Sequence, residues 1–199
     1  MTDARADKPD HPEGAAPPSS ALSPNQVAPS GPAASPSPPA APVPSPALDN
    51  LTLRPARTTD AGAVGAILSD YTDHTPWLPR LHSRAEDIAH AGLLIDRGWT
   101  RLALVDDVIR GFLAREGAQI HALYVARGWR GAGIGARLLR GAMAECARLD
   151  LWTFVANDAA QRFYRRHGFA EARRTAGEND EGLPDILFSW RSARETAHG

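Results

Sequence analysis

The sequence predicts one α+β domain built about an antiparallel meander of strands. Two-residue hydrophobic alternation and helical spacing follow one another in the order strand, two helices, three strands, helix, strand, helix, two strands. The three middle strands are joined by connections short enough to demand hairpins. All 13 aromatic residues lie beyond position 48, whereas 13 of the 17 prolines lie within the first 48 residues. One segment of ordinary domain size must therefore supply the whole core.

Residues 1–48 contain 13 Pro, 11 Ala and 7 Ser, with Leu22, Val27, Val43 and Leu48 as the larger aliphatics. Ordering them would cost roughly 1 to 2 kcal/mol per residue with little apolar area to offset it, so a disordered, partly polyproline-like arm is expected. A short flexible tail is expected at 193–199, leaving 49–192 as the domain. The single Cys146 excludes a disulfide framework and a four-cysteine zinc site, and no metal is expected. No apolar run approaches a membrane span and the N-terminus lacks the apolar core of a secretory signal, so a cytoplasmic protein without a membrane partner is expected. Basic and acidic residues, 22 and 23, nearly cancel and are interspersed, which argues against nucleic acid as a partner.

Leu51 and Leu53 alternate with Asn50 and Thr52 as a first strand that Pro55 stops. Thr59 and Asp60 open a helical run through Ala63, Ile67 and Leu68. A second helix fits Ser83 to Ile95, with Ser83 as N-cap, Glu86 completing a capping box, and Ile88, Leu93 and Leu94 as apolar positions. Leu102–Val105 and Val108–Ala114 form a hairpin about Asp106 and Asp107, and Ile120–Val125 follows a turn at Gly117. After a glycine-rich turn comes a helix with Leu138, Leu139, Ala142, Met143 and Cys146 on its apolar stripe, which buries an inert thiol. A strand at Leu151–Val155, a helix from about Ala159 to His167 capped by Gly168, and a closing pair, Phe169–Thr175 and Asp185–Arg191, complete the order. His167 reads as a helix-terminal residue that meets the last carbonyls.

The chemistry concentrates in the turn Arg130 to Gly135. Gly131, Gly133 and Gly135 stand between a strand and a helix, where backbone amides can face a phosphate and the helix dipole adds positive charge. Gly131, Gly133 and Ala136 also satisfy a dinucleotide fingerprint. Against that reading, five residues separate strand from first glycine, Asp150 precedes the next strand instead of ending it, and little chain remains for a second nucleotide-binding half. A P-loop is excluded because no Lys follows the glycines.

Arg130, Gly133 and Gly135 directly after Leu123, Tyr124 and Val125, together with Asn157, Ala160, Phe163, Tyr164, Gly168 and Phe169 downstream, resemble the GNAT superfamily of acetyl-CoA-dependent N-acetyltransferases. The resemblance covers nearly all of residues 50 to 191. It implies a mixed, mostly antiparallel seven-stranded sheet with helices on both faces, splayed between its fourth and fifth strands, with the pantetheine arm of acetyl-CoA inserted there. Leu123, Tyr124 and Val125 would border that arm, Asn157 would contact it, and Arg130, Gly131, Ala132, Gly133, Ile134 and Gly135 would hold the pyrophosphate.

The implied reaction transfers acetyl to a primary amine by direct attack. Tyr164 is the expected acid, because a phenol of pKa about 10 is still protonated at neutral pH and can give its proton to the departing sulfur. Packing beside Phe163 is the other reading of Tyr164. His121 is the candidate base, or else a water relay serves; a packed, hydrogen-bonded histidine is equally in keeping with the pattern. Acceptor contacts are expected from the segments 71–82 and 176–184. Trp77 would form an apolar wall, Arg80 would take a carboxylate, and Asn179 and Glu181 would take an ammonium. The expected partner is a small amine or amino-acid-like molecule, and the expected assembly a monomer or homodimer. A non-catalytic acyl-CoA-binding module is the alternative.

Overall fold

A computed structural model describes Leu48 and residues 50–193. The expected arm, Leu48 apart, and the expected tail after position 193 lie outside the described residues. Seven strands form one sheet: β1 (Leu51–Pro55), β2 (Thr100–Val105), β3 (Val108–Glu116), β4 (Gln119–Val125), β5 (Arg148–Phe154), β6 (Ala170–Thr175) and β7 (Asp185–Arg191). Their spatial order is β1-β2-β3-β4-β5-β7-β6. Helices α1 (Ala61–Asp73) and α2 (Arg84–Asp96) cover one face, and α3 (Ile134–Glu145) and α4 (Asp158–Arg166) the other. The element order is the one read from the sequence, and the helix-on-both-faces architecture is the one the resemblance implies.

Alternation along the strands divides the core in two. Val64, Leu68, Ala91 and Leu94 from α1 and α2 pack on Leu102, Leu104, Phe112 and Tyr124. Leu138, Leu139, Ala160 and Tyr164 from α3 and α4 pack on Ala103, Leu113, Leu123, Leu149 and Leu151 on the opposite face.

Every neighbouring pair is antiparallel except β4 and β5, which are parallel and paired only at Gln119↔Asp150 and Ile120↔Leu151. Beyond that point β4 runs on to Val125 and β5 to Phe154 without pairing to each other, so the sheet splays where expected. The β2–β3 hairpin turns on Asp106 and Asp107, whose φ values of 49° and 61° are those a two-residue hairpin requires. Ser83 caps α2 as predicted: its Oγ accepts from the Glu86 amide at 3.3 Å, and Glu86 Oε2 accepts from the Ser83 amide at 2.7 Å.

Four expectations are corrected. Ile88 and Leu93 are 42% and 56% exposed, because the inward face of α2 is Asp87, Ala91, Leu94 and Ile95. Cys146 is not on the α3 stripe: the helix stops at Glu145, and Cys146 is extended, half-buried and 3.8 Å from the Gly117 carbonyl. Strand β5 begins three residues early, so Asp150 lies within it, paired with Gln119. Leu48, assigned to the arm, packs on the α3–α4 side of the core, and its carbonyl accepts from the Leu51 amide at 3.0 Å.

Candidate active site

The splay has a glycine turn at its mouth. After β4 the chain makes a short 3-10 turn, Arg127–Trp129, and enters α3 through Gly131 and Gly133 at φ 81° and 94°. Those left-handed values favour glycine, and they leave the first amides of α3 pointing outward. A cleft of about 230 Å³ lies over this turn, lined by Val125, Trp129, Arg130, Phe163, Arg166 and His167 among others. Two arginines and a histidine beside exposed helix amides suit a phosphorylated ligand.

Arg130 turns into the opening. Its Nε donates to the Val125 carbonyl at 3.2 Å, and its guanidinium stands 5.6 Å from the Tyr71 ring centroid. Burial pulls its pKa below the ordinary arginine value, with Asp70 and Tyr71 opposing, and the guanidinium stays cationic at neutral pH.

Asn157 caps α4, its Oδ1 accepting from the Ala160 amide at 3.0 Å, and it is fully buried. Its Nδ2 faces the Tyr71 hydroxyl at 3.4 Å, so α1 and the start of α4 meet across the splay. Tyr164 is also fully buried, ringed by Phe163, Phe169 and Phe188 with centroids at 5.2, 5.5 and 6.2 Å. His167 closes α4 with Nδ1 2.9 Å from the Phe163 carbonyl.

The α1–α2 side of the splay is aromatic and acidic. Tyr71 meets Tyr124 edge-on at 5.2 Å, and Trp77 meets Phe154 edge-on at 5.6 Å. Burial holds the phenols of Tyr71 and Tyr124 above their ordinary range, and the charges of Glu181 and Asp87 push Tyr124 further in the same direction. Glu181 Oε2 is buried and makes no hydrogen bond.

Three expected site residues are placed elsewhere or committed to the framework. His121 is the extra residue of a β-bulge opposite Ala114 and Arg115, its ring stacked on Trp99 at 4.9 Å and its Nε2 3.5 Å from Glu116. It stands at the closed end of the splay, on the order of 10 Å along β4 from Val125. Burial lowers its pKa, with Glu116 opposing, so it is neutral at pH 7 but remote from the open end. Arg80 is consumed by a clamp: Nε and Nη2 donate to Asp73 at 2.9 and 2.6 Å, and Nη2 also donates to the Ser69 carbonyl at 3.0 Å. Its Nη1 reaches the His82 carbonyl at 2.7 Å and Asp87 at 3.4 Å. Asn179 closes the β6–β7 loop through Leu183 and Asp185.

Trp77 is brought against Phe154, and Tyr124 against Tyr71 within reach of the Glu181 charge; Tyr71 and Phe154 are residues that sequence reasoning did not single out. Tyr71 falls on the buried stripe of α1 with Val64 and Leu68, a spacing that signals core and nothing more.

A family model described as the acetyltransferase (GNAT) family matches residues 65–169. The apo form of YjaB from Escherichia coli superposes with a TM-score of 0.61 at 22% identity, covering 72% of this chain and 99% of that one. YncA from Salmonella typhimurium, solved with its cofactor acetyl-CoA, gives 0.57 at 18% identity over 72% and 94% of the two chains. The Salmonella typhimurium acetyl transferase that modifies the N-terminal serine of ribosomal protein L7/L12 gives 0.58 at 21% identity over 72% and 96%. Likeness at these identities bears on fold alone. No curated protein matches the sequence significantly.

Proposed function

Since this chain belongs to the acetyltransferase (GNAT) family, we propose that it transfers the acetyl group of acetyl-CoA to the primary amine of a small acceptor, with Tyr164 protonating the departing thiolate. The observation that carries this reading is the unpaired edge of β4 at Leu123–Val125, opening beside a glycine turn and the buried pair Asn157 and Tyr164.

The residues present fit the donor. The amides of 130–135, with Arg130, Arg166 and His167 nearby, would hold the pyrophosphate and its neighbouring phosphate charge, and the free edge of β4 would pair with the pantetheine amides. When bound, acetyl-CoA supplies an acyl thioester already activated for attack. Arg130 would exchange its bond to the Val125 carbonyl for the donor, because that carbonyl borders the arm. Tyr164, walled by aromatic rings, would hold its proton at neutral pH until a thiolate develops beside it; the transfer itself is uphill by about 2 kcal/mol on reference pKa values, and expulsion of the thiolate from the tetrahedral adduct carries it forward. An alkylamine of pKa about 10.4 costs roughly 4 to 5 kcal/mol to hold neutral at pH 7, so a proton acceptor is needed. A water relay on the acceptor side serves better than His121, which stands at the closed end of the splay.

Tyr164→Phe tests the reading. Thiol release is expected to fall roughly 100-fold or more while acetyl-CoA still raises the melting temperature. Undiminished turnover would remove Tyr164 from the chemistry. The complete burial of Tyr164 among aromatic rings favours a second reading, an acyl-CoA-binding module without turnover. A thermal shift with acetyl-CoA and no thiol release from wild type across amines and N-terminal peptides would select it.

A further inference from the structure

The β6–β7 loop is built to hold one side chain inward. Asn179 Nδ2 donates to the Leu183 carbonyl at 2.7 Å and to Asp185 Oδ2 at 3.1 Å, and its Oδ1 accepts from the Leu183 amide at 3.1 Å. The Gly182 amide donates to the Asn179 carbonyl at 3.0 Å, so the backbone is pinned on both sides of Glu181. The Pro184 carbonyl accepts from the Val155 amide at 2.8 Å, which ties the loop to the end of β5 beside Phe154 and Asn157. Glu178, two residues before the pinned turn's centre at Asp180, instead pairs outward with Arg173 at 3.0 Å.

Glu181 Oε2 is thus shut off from water with no protein donor in reach. A buried carboxylate oxygen left that way is costly until a cation or donor arrives. The charge of Glu181 reaches the Tyr124 phenol, whose ring meets Tyr71 at 5.2 Å, and the charge of Asp87 acts on the same phenol. Arg80 is clamped by Asp73, Asp87 and two carbonyls and is not offered to a ligand. Arg80 offsets Asp87, and the guanidinium over the Tyr71 ring, Arg130, is assigned to the donor, so an acceptor carboxylate would meet the unmatched Glu181 charge, whereas an ammonium would find an open oxygen.

We propose that Glu181 anchors the acceptor, and that the acceptor class is a primary ammonium on a body without a neighbouring carboxylate. This rests on the acetyltransferase reading and narrows its substrate. Asn179 is a positioning residue for Glu181.

The test compares wild type and Glu181→Gln with phenylalanine and its methyl ester, which differ in the carboxylate. Wild type should prefer the ester. Glu181→Gln should raise the ester KM roughly 10- to 100-fold, as loss of a charge-assisted hydrogen bond implies, with kcat changed only a few-fold and acetyl-CoA affinity unchanged. Without amine, Glu181→Gln should melt at the same or a higher temperature, because a neutral amide replaces an unpartnered carboxylate. An unchanged KM, a loss confined to kcat, or a wild-type preference for the free amino acid would each overturn the proposal. An ester-induced thermal shift of the CoA-bound protein gives a readout without turnover: present in wild type and absent in Glu181→Gln supports the anchor, and present in both, or absent from wild type, refutes it. If wild type shows that shift but releases no thiol with either compound, the acetyltransferase reading fails while the anchor stands. If Glu181→Gln does not fold, Glu181→Asp serves, with a KM rise expected and an unchanged KM contradictory.

Discussion

Arg80 shows how a cation in a segment beside a binding site can belong to the framework. Its guanidinium joins Asp73 on α1, the Ser69 and His82 carbonyls, and Asp87 on α2, and the Arg80 hydrogen bond is the leading cause that lowers the Asp73 pKa. Arg80→Ala should therefore act on stability. Leaving the buried Asp87 with Ser69 alone costs ~1–3 kcal/mol, several degrees of melting temperature, with the acceptor KM little changed. A large KM effect without destabilisation would return Arg80 to the acceptor site. The turn glycines Gly131 and Gly133 at positive φ and the Asn157 cap of α4 were legible because such local geometry shows as letters at fixed spacing. Arg80 and Asn179 misled because a donor's partners are set by the fold, and nothing in the chain order says whether Asp73 or a ligand will take the guanidinium.

The elements were legible where local chemistry decides them. Ser83 with Glu86 announces the start of α2, and Asp106–Asp107 announces the hairpin. The displacement of His121 by a bulge was not, because a bulge depends on how β3 and β4 settle their register against the α1–α2 core. The face of α2 was misread for a related reason: α1 and α2 approach so closely at Gly65 that Ile88 meets the glycine through its backbone and Cγ1 and leaves much of its side chain exposed. A β-carbon on Gly65 would stand 2.7 Å from Ile88 Cα. Gly65→Ala should cost ~1–3 kcal/mol through overpacking, read as a lower urea midpoint with little change in slope. An unchanged midpoint would mean the two helices can separate freely. Because α1 carries Tyr71 and α2 carries Asp87, the same substitution should loosen the acceptor side more than the glycine turn.

For the molecule as a whole, stability and the open sheet are linked to pH and to the donor. Burial lowers the pKa of His90, beside His82, Asp87, His121 and Arg97, and of His121, which faces Glu116 and Arg97. The unfolded chain, with histidine near about 6.5, then takes up protons that the folded chain refuses. Stability is full above that value and declines as pH falls below it. Melting temperature should drop between about pH 7 and 5.5, before the paired carboxylates titrate, and the drop should shrink in His90→Gln. A flat profile would contradict buried neutral histidines. The splay is where the proposed donor enters: two register pairs hold β4 to β5, and past them this edge of β4 pairs with no strand among the described residues. Amide hydrogen exchange with and without acetyl-CoA tests this most directly. Protection should rise at Leu123–Val125 and at residues 130–135, with little change in β1 and β6 at the sheet's two edges. Unchanged exchange at both sites, at concentrations where acetyl-CoA binds, would show that the splay is not where the donor goes.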